Sequence, residues 1–347
     1  MKILLIGEFS GVHNNLKKGL IELGHEVTLA ADGDGYRGFK YDIPLNPVKG
    51  KFLSKILNPL YMLFNIKKFT GYDVIQFLYP FSINYISFLI GIPFLLLKYN
   101  KKSVYYVCGT DPAFLKSRDK FQYFPFNNEN ISEAPSYNKV SLTYYDWFIN
   151  NISIIIPSMY TYAVGYLSNP KLRGPIPLPG SGNYNINVNT RKNSKLNILF
   201  GITRKGFKGA DFIIPALKKI KEEFSDKVEI KIVERLPFNE YIELLKESDV
   251  LIDQCNSYDY GMNTIFALEN GVIVFSGAES DAKEYLKIKD SPVINIRPDS
   301  NHIYQQIKKL ITIGNCEYLK IQSVEYVKDI HDVHQVAFQF SDLYTKE

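Results

Sequence analysis

Cysteine is scarce in this sequence, with three among 347 residues. Cys108, Cys255 and Cys316 lie far apart, form no CxxC pair and have no histidine at metal-ligand spacing. We therefore expect neither a zinc site nor a disulfide framework, and a reducing cytosol is the natural compartment for such a chain. The apolar run at residues 2–7 is only strand-length and no small-residue cleavage site follows it, which predicts no signal peptide.

Long hydrophobic runs are also missing. The most apolar stretch, residues 85–97, spans 13 residues and contains a glycine and a proline. A membrane-spanning helix needs about 20 apolar residues, so we expect no membrane span here. The length of 347 residues and an apolar share of 46% predict a globular protein of two domains rather than a disordered chain.

Acidic residues are nearly absent from residues 49–102, where eight lysines accompany a single acid, Asp73, and no arginine. This segment carries a charge of +7, although the net charge of the whole chain is only +5. Two interpretations stay open: a buried helix whose lysines reach into water, or a basic, apolar face on an anionic membrane. We expect no nucleic acid as a partner, because arginine is missing and the aromatic residues are interleaved with aliphatic ones as in a core.

Short apolar runs alternate with helical stretches along the chain, which predicts an α/β protein with parallel sheets wrapped by helices. Residues 180–195 have the composition of a linker and separate two such series. Residues 112–145 are polar, aromatic and poorly periodic, which predicts a long functional loop. The predicted strands are residues 2–7, 26–30, 73–78, 103–107 and 153–156 in the first series and 196–200, 228–233, 249–253 and 272–275 in the second.

A basic strand–helix junction at residues 200–209 is the strongest local indication of a ligand site. It reads Phe-Gly-Ile-Thr-Arg-Lys-Gly-Phe-Lys-Gly, with Arg204 and Lys208 beside the start of a helix predicted to follow at Gly209. Free N–H groups at a helix start and two full positive charges suit a phosphate or diphosphate. The alternative is a solvated basic turn without a ligand.

A second loop at a strand end, residues 253–263, offers backbone amides to a ligand. Gly261 and Met262 precede Asn263, a favoured residue type for the N-cap of a short helix that would end at Gly271. Open α/β folds bind their ligands at the carboxyl ends of the strands, so Gly261, Met262 and Asn263 are candidate contacts. The alternative is a tight turn that needs glycine for its backbone alone.

Two polar residues after strands of the first series are candidate catalytic groups. His13, at the start of the first helix, is expected to have a lowered pKa and to form hydrogen bonds in a cleft; a plain surface histidine is the alternative. Asp111, which precedes a proline, could bind sugar hydroxyls or act as a base, or could simply form a turn. The turn before His13 lacks the GxGxxG spacing of dinucleotide sites, and the chain has no nucleophile elbow, HExxH or Walker motif.

At these motifs the chain resembles a glycosyltransferase of the GT-B fold, in the large retaining group known as family 4. The resemblance covers nearly the whole chain and implies two Rossmann-like domains that face each other across a cleft. Residues 1–185 correspond to the acceptor domain and residues 195–322 to the nucleotide-sugar donor domain. Residues 323–347 are similar to the closing segment of the family, a C-terminal helix that packs back on the N-terminal domain.

The resemblance also implies roles for particular residues. In the family, an arginine and a Lys-Gly pair after the first strand of the second domain hold the donor diphosphate. Arg204, Lys208 and Gly209 match these positions. A glycine-rich turn of the first domain, near donor and acceptor, corresponds to Ser10 and Gly11.

The chain departs from the family pattern in two places. Many members carry His-Gly-x-Asp in the catalytic cleft, where this sequence has Cys-Gly-Thr-Asp at residues 108–111. Two glutamates that contact the donor sugar and the ribose in the family are replaced by Tyr258 and Phe266, so neither contact is carried over. Glu269, in the last turn of the same short helix, is a candidate for the ribose contact, with plain solvent exposure as the alternative.

The sequence therefore predicts a cytoplasmic glycosyltransferase of polysaccharide biosynthesis that moves a hexose from a UDP- or GDP-sugar to a glycan or lipid-linked acceptor. The resemblance implies retention at the anomeric carbon. We expect no cofactor and no metal, because no Asp-x-Asp motif accompanies the phosphate junction and Arg204 and Lys208 supply the charge. Peripheral binding to the inner face of the plasma membrane through residues 49–102 is a further expectation.

Two other classes of function stay open. The missing glutamate pair would suit a catalytically impaired GT-B scaffold that partners another transferase. An NAD(P)-binding Rossmann oxidoreductase is the other alternative, which the absent glycine fingerprint disfavours.

Overall fold

The computed structural model describes residues 1–50, 52–185, 195–314 and 316–346. The predicted linker at 180–195 falls largely outside these ranges, as does Lys51 of the basic segment. Within them the chain forms two parallel sheets wrapped by helices, which confirms the predicted α/β class. Among the helices of the described ranges, none combines the length and the apolar character that crossing a bilayer requires.

The first sheet consists of β1 (Lys2–Ile6), β2 (Glu26–Ala31), β3 (Ile43–Pro44), β4 (Val74–Phe77), β5 (Lys102–Val107) and β6 (Ile154–Pro157). These strands are parallel and lie in the order β3-β2-β1-β4-β5-β6. Residues 3–6 of β1 are apolar without alternation and fully buried, because helices cover both faces of a parallel sheet. Such continuous apolar runs are what made the strands visible in the sequence.

The second sheet consists of β7 (Leu196–Ile202), β8 (Val228–Glu234), β9 (Val250–Ile252), β10 (Ile273–Ser276) and β11 (Ile294–Asn295). Its strands are also parallel, in the order β11-β10-β9-β7-β8. Strand order reverses direction between β1 and β4 in the first sheet and between β7 and β9 in the second. Such switch points open a crevice at the carboxyl ends of the strands.

Fifteen helices of the described ranges surround the sheets. The apolar run at residues 85–97 forms two short helices instead of one, because Gly91 between them adopts a left-handed backbone with φ of 81°. The helices are α1 (Val12–Glu22), α2 (Leu53–Phe64), α3 (Tyr85–Leu89), α4 (Ile92–Lys98), α5 (Pro112–Lys116), α6 (Lys139–Asn151), α7 (Tyr160–Ala163), α8 (Lys205–Lys208), α9 (Ala210–Glu223), α10 (Phe238–Lys246), α11 (Met262–Glu269), α12 (Ser280–Tyr285), α13 (Ser300–Ile313), α14 (Glu317–Ile330) and α15 (Val333–Lys346).

The C-terminal segment crosses from the second sheet back to the first, as the resemblance implied. It does so as two helices rather than one: α14 packs on α11 and β10, and α15 packs on α1. At the turn between them, buried His331 donates from Nδ1 to the Leu178 carbonyl at 2.8 Å. Gly19 of α1 leaves no room for a side chain, since a Cβ there would lie 2.6 Å from the carbonyl oxygen of Val333.

Candidate functional site

A cleft of about 530 Å³ lies between the two sheets. Its walls include residues that follow β1, β4, β7 and β9, the strands on either side of the two switch points. This is the place where open α/β folds bind their ligands. The lining residues that bear on the chemistry are Ser10, Asp34, Arg37, Tyr79, Cys108, Arg204, Lys208, Arg235, Asp253, Gly261, Met262, Asn263 and Phe266.

Arg204 lines the cleft and keeps much of its side chain in contact with the solvent there. Its guanidinium carbon lies 3.6 Å from the centre of the Phe207 ring, which fixes the direction of the side chain. Enclosure by the cleft walls lowers the pKa of Arg204, and the like charge of Arg37, from the first sheet, also lowers it. Two arginines that face one cleft from opposite sheets indicate an anionic ligand between them.

Lys208 is a buried member of an ion pair, not the free cation that the sequence suggested. Its Nζ donates to the carboxylate of Asp253, which lies directly after β9. The same carboxylate accepts hydrogen bonds from Asn263 Nδ2 at 2.7 Å and from Thr264 Oγ1 at 3.0 Å. Asp253 therefore neutralises Lys208 and holds two motifs of the sequence, the basic junction and the loop after β9, in one arrangement.

The structure requires glycine at one position of these two motifs, Gly209, and does not require it at the other, Gly261. Gly209 separates α8 from α9 with φ of 79°, and a Cβ there would lie 2.2 Å from Cys255 Sγ. Gly261 has an ordinary extended backbone, and nothing lies within 4 Å of the place of its Cβ. The alternative interpretation, a tight turn that needs glycine for its backbone, is therefore wrong for Gly261, whose missing side chain leaves open space in the cleft wall.

Helix α11 begins two residues earlier than the capping argument predicts. Gly261 is its N-cap, and Met262 and Asn263 are its first two residues. The side chain of Asn263 is therefore free of a capping role and donates to Asp253 instead. Gly261, Met262 and Asn263 all line the cleft, and their contacts to a sugar or phosphate stay a prediction.

Glu133 occupies two backbone amides of the basic junction, in α8 and before the helix start at Gly209 on which the phosphate prediction relied. Its carboxylate accepts from the amide of Gly206 at 2.8 Å and from that of Phe207 at 3.0 Å. Glu133 belongs to the long segment predicted as a functional loop, which includes α5 and part of α6 and crosses to the second sheet. In the same segment Tyr123 donates to Glu279 at 2.6 Å. Nothing in the sequence pattern predicted these contacts.

His13 does not reach the cleft, so the prediction that it forms hydrogen bonds there is wrong. Its side chain is fully buried; Nδ1 donates to the Gly7 carbonyl at 2.7 Å. With that tautomer Nε2 accepts from Gln76 Nε2 at 3.2 Å, and Gln76 Oε1 accepts from the Tyr344 hydroxyl at 2.7 Å. Burial lowers the pKa of His13 to about 3. His13 is a neutral link between α1, β4 and α15.

Asp111 is a helix cap and not a cleft carboxylate, which corrects its assignment as a catalytic group. It is fully buried and caps α5, accepting from the amide of Phe114 at 2.8 Å. The hydroxyls of Tyr105, at 2.6 Å, and Tyr166 donate to its other oxygen. Burial raises the pKa of Asp111, and these hydrogen bonds oppose the rise. The turn interpretation of the sequence is the correct one.

Glu269 is also buried, and the prediction that it binds ribose is wrong. Its carboxylate accepts from the Ser181 amide at 2.5 Å, the Ser181 hydroxyl at 2.8 Å and the Gly182 amide at 3.1 Å. Burial raises the pKa of Glu269 to about 7. The side chain joins residues 181–182 to α11 through these hydrogen bonds and does not line the cleft.

The two positions that carry glutamate in family 4 have separate surroundings here. Phe266 lines the cleft and packs edge-on against Phe238 at 5.1 Å between ring centres. Tyr258 contacts the long first-domain segment instead, accepting from the Gln122 amide at 3.1 Å. Gly11, with φ of 84°, sits close to Phe266, since a Cβ on Gly11 would lie 3.4 Å from that ring. Gly11 thus lies where the two halves meet, although its neighbour Ser10 is what lines the cleft.

No family model matches the sequence, and no curated protein matches it either. Solved structures match over its whole length. Sucrose-phosphate synthase from Thermosynechococcus elongatus has a TM-score of 0.66 at 14% identity, over 99% of this chain and 98% of that one. Anabaena HepE in complex with UDP and glucose has a TM-score of 0.62 at 12% identity, over 100% of both chains. UDP-GlcNAc 2-epimerase from Neisseria meningitidis bound to UDP-GlcNAc has a TM-score of 0.58 at 12% identity, also over 100% of both.

The chain has the GT-B fold. The architecture implied by the resemblance is thereby confirmed, while membership of family 4 and the bounds of the domains stay predictions. At these identities the similarity shows the fold alone, and the similar structures include an epimerase beside the transferases. A fold of this kind supports several reactions, so the reaction has to be argued from the cleft.

Two further arginines line the cleft, and the sequence motifs did not predict them as site residues. Arg37 comes from the loop after β2 and donates to Asp34 at 2.8 Å. Arg235 directly follows β8, has a left-handed backbone with φ of 50°, and is exposed in the cleft. Both arginines come shortly after the end of a strand. Because the carboxyl ends of all parallel strands meet at one edge of the sheet, this position could have indicated that they lie at the cleft.

Proposed function

We propose that this protein is a glycosyltransferase that moves a hexose from a UDP- or GDP-sugar to a glycan or lipid-linked acceptor. The observation that carries the proposal is the cationic cleft: Arg204 and Arg235 line it without an ion-pair partner in the described structure, whereas Arg37 is paired with Asp34. A volume of about 530 Å³ suits a nucleoside-diphosphate sugar, since small-molecule pockets measure about 300–1,000 Å³. The UDP bound to HepE and the UDP-GlcNAc bound to the epimerase support a nucleotide-sugar donor in this fold.

In the proposed reaction the donor diphosphate lies beside Arg204. The bond between the anomeric carbon and the diphosphate breaks, and the guanidinium stabilises the charge that develops on the leaving oxygen. Lys208 lies in the same wall, where Asp253 balances its charge and holds its ammonium group in place. The acceptor hydroxyl approaches from the first sheet, its oxygen forms the new bond to the anomeric carbon, and its proton passes to the departing diphosphate. The resemblance to family 4 favours retention at the anomeric carbon. We propose that no organic cofactor takes part, since the nucleotide sugar itself is the substrate.

A catalytically impaired scaffold that binds a nucleotide sugar is the second candidate. Two observations favour it. The predicted catalytic residues His13 and Asp111 are both fully buried. The glutamates of family 4 are replaced by Tyr258 and Phe266. Such a protein would bind UDP through Arg204 without consuming the donor.

Calorimetric titration of wild type and Arg204→Ala with UDP and GDP tests the donor site. A charge-assisted hydrogen bond contributes about 1.5–3 kcal/mol, so the affinity should fall roughly 10–150-fold. Lys205→Ala is the matched control, because Lys205 is exposed and pairs with Asp211 at 3.6 Å, outside the cleft wall. If Arg204→Ala binds both nucleotides as tightly as wild type, the donor site is elsewhere.

Proton NMR of UDP- and GDP-sugars incubated with the protein and candidate acceptors separates reaction from binding. Release of the nucleotide with a new glycosidic product identifies a transferase. A donor that binds and stays unchanged identifies the scaffold, and a sugar that changes configuration identifies an epimerase.

We also propose that the protein works in the cytoplasm, at the inner face of the plasma membrane, in polysaccharide biosynthesis. Cys108, Cys255 and Cys316 are free, which suits a reducing compartment. A lipid-linked acceptor would be met at that membrane.

A further inference from the structure

Helix α2 carries an apolar stripe on the side that faces water. Leu53, Leu57 and Phe64 recur at helical spacing and are all exposed, Leu53 by 65% and Phe64 by 84%. The other side of α2 is buried in the protein through residues such as Met62. A surface helix normally has one apolar side, directed at the core, and polar residues on the other. The second apolar side of α2 therefore requires an explanation outside the core.

The stripe belongs to a larger surface that α2, α3 and α4 form together. These three helices pack against one another, and apolar side chains point outward from all of them and from the loops beside them. Contiguous apolar patches of this kind on a protein surface mark sites of protein or membrane contact. We name the following exposed residues the apolar face: Phe52, Leu53, Ile56, Leu57, Phe64, Leu89, Ile90 and Phe94.

The surroundings of the apolar face are positively charged. Five of the seven described lysines of the basic segment are exposed and have no ion-pair partner within the described part of the chain: Lys49, Lys55, Lys67, Lys68 and Lys98. Asp73, the single acid of residues 49–102, is already paired with Lys101 at 2.7 Å. The face thus combines exposed apolar groups with cations whose charge is not compensated.

We propose that the apolar face docks on a membrane leaflet rich in anionic lipid. Its apolar side chains would enter the boundary between headgroups and acyl chains, and its lysines would contact the headgroups. Charge is what favours lipid over a protein partner. Protein interfaces are depleted in lysine and enriched in arginine, whereas residues 49–102 have eight lysines and no arginine.

The apolar face lies close to the first-sheet wall of the cleft along the chain. Tyr79 lines the cleft and α3 begins at Tyr85; six residues span at most about 20 Å. Docking would therefore hold the acceptor side of the cleft near the lipid surface. The docking itself does not depend on the reaction in the cleft, so the two proposals can fail independently.

Co-sedimentation with vesicles of phosphatidylcholine alone and of phosphatidylcholine with phosphatidylglycerol tests this inference. We expect binding to the anionic vesicles to be at least about tenfold tighter and to weaken as ionic strength rises. The double variant Phe52→Ser/Phe64→Ser changes two side chains that are each 84% exposed, so its fold should be kept. Its vesicle affinity should fall about tenfold or more, since each phenylalanine would leave the apolar layer.

Matched controls come from other surfaces of the chain. Phe338→Ser removes a phenylalanine of α15 that is 62% exposed and should leave vesicle binding unchanged. Lys67→Gln/Lys68→Gln should reduce it, while Lys218→Gln/Lys221→Gln, on the exposed side of α9, should not. UDP affinity measured on the same variants should stay at the wild-type value, which separates loss of docking from loss of the donor site.

Equal binding to neutral and anionic vesicles would overturn the proposal, as would unchanged binding of Phe52→Ser/Phe64→Ser. Sedimentation velocity provides a further check. A concentration-dependent dimer that this double variant abolishes would assign the face to an interface between two copies of the chain instead.

Discussion

The carboxylate of Glu133 occupies two amides beside Arg204, so removing it should tighten the binding of a diphosphate. Glu133 accepts from the amides of Gly206 and Phe207 at 2.8 and 3.0 Å. If the phosphates of a nucleotide use the same amides, these two hydrogen bonds have to break first, and their free energy is subtracted from that of binding. Glu133→Ala removes this cost before the ligand arrives.

The magnitude follows from the exposure of Glu133. Hydrogen bonds to a charged group contribute about 1.5–3 kcal/mol each where water is excluded, but Glu133 is exposed and pairs in such positions contribute about 0–1 kcal/mol. We therefore expect a gain of about 1–2 kcal/mol for the two bonds together, or roughly 5–30-fold tighter UDP binding.

Isothermal titration with UDP and with inorganic pyrophosphate measures the effect. Both ligands should gain alike, because the amides are expected to meet phosphate oxygens and not the base. Glu129→Ala is the control, since Glu129 lies in the same segment, is exposed, and makes no side-chain contact across the cleft in the described structure. Weaker binding by Glu133→Ala would refute the reasoning and would mean that the segment helps to hold the ligand.

Three further variants test the two buried carboxylates Glu269 and Asp253. Glu269→Ala should destabilise the fold by about 1–3 kcal/mol for the donors it leaves unpaired, Glu269→Gln should cost less, and neither should change UDP affinity. Because burial raises the pKa of Glu269 from 4.5 to about 7, the native protein binds more protons than the unfolded chain in that window, so stability should fall as pH rises from 4.5 to 7, and less so in Glu269→Gln. Asp253→Asn should lower stability in denaturant titrations by about 3–5 kcal/mol, since it leaves Lys208 charged and buried; a loss below 1 kcal/mol would show that the pair is not what holds this wall.

The fold was predictable because the sheets are parallel and covered on both faces. Runs such as residues 3–6 and 154–156 are apolar without interruption and fully or almost fully buried, and burial on both faces is what removes the alternation. The break in the C-terminal segment was not predictable from apolar spacing. At the break Asp332 accepts from the amides of His334 and Gln335 at 3.0 Å, and buried His331 donates to the carbonyl of the distant Leu178.

The site was predictable only as far as backbone position decides it. Being just after a strand placed Arg204, Lys208 and Asn263 at the cleft. The same argument was wrong for Asp111. The side chain of a carboxylate at a strand end can point into the cleft, or it can cap the helix that follows, as Asp111 does for α5. Tyr166, which fixes that choice by donating to Asp111, is 55 residues further along the chain.

The Lys208–Asp253 pair bears on whether the cleft still binds a donor. A buried ion pair contributes little net stability, and apolar residues of similar size often serve as well. Here the pair lies in the cleft wall, and Asn263 and Thr264 also donate hydrogen bonds to Asp253. Four polar side chains thus occupy a place where apolar packing would stabilise the fold as well. That arrangement fixes the position of the charge-balanced pair in the wall that Arg204 also lines. The wall around Arg204 thus keeps a charge pattern suited to phosphate although Tyr258 and Phe266 stand where family 4 has glutamates. This pattern favours binding of a diphosphate, which the transferase and the donor-binding scaffold would share, so the NMR assay of donor consumption is what separates the two.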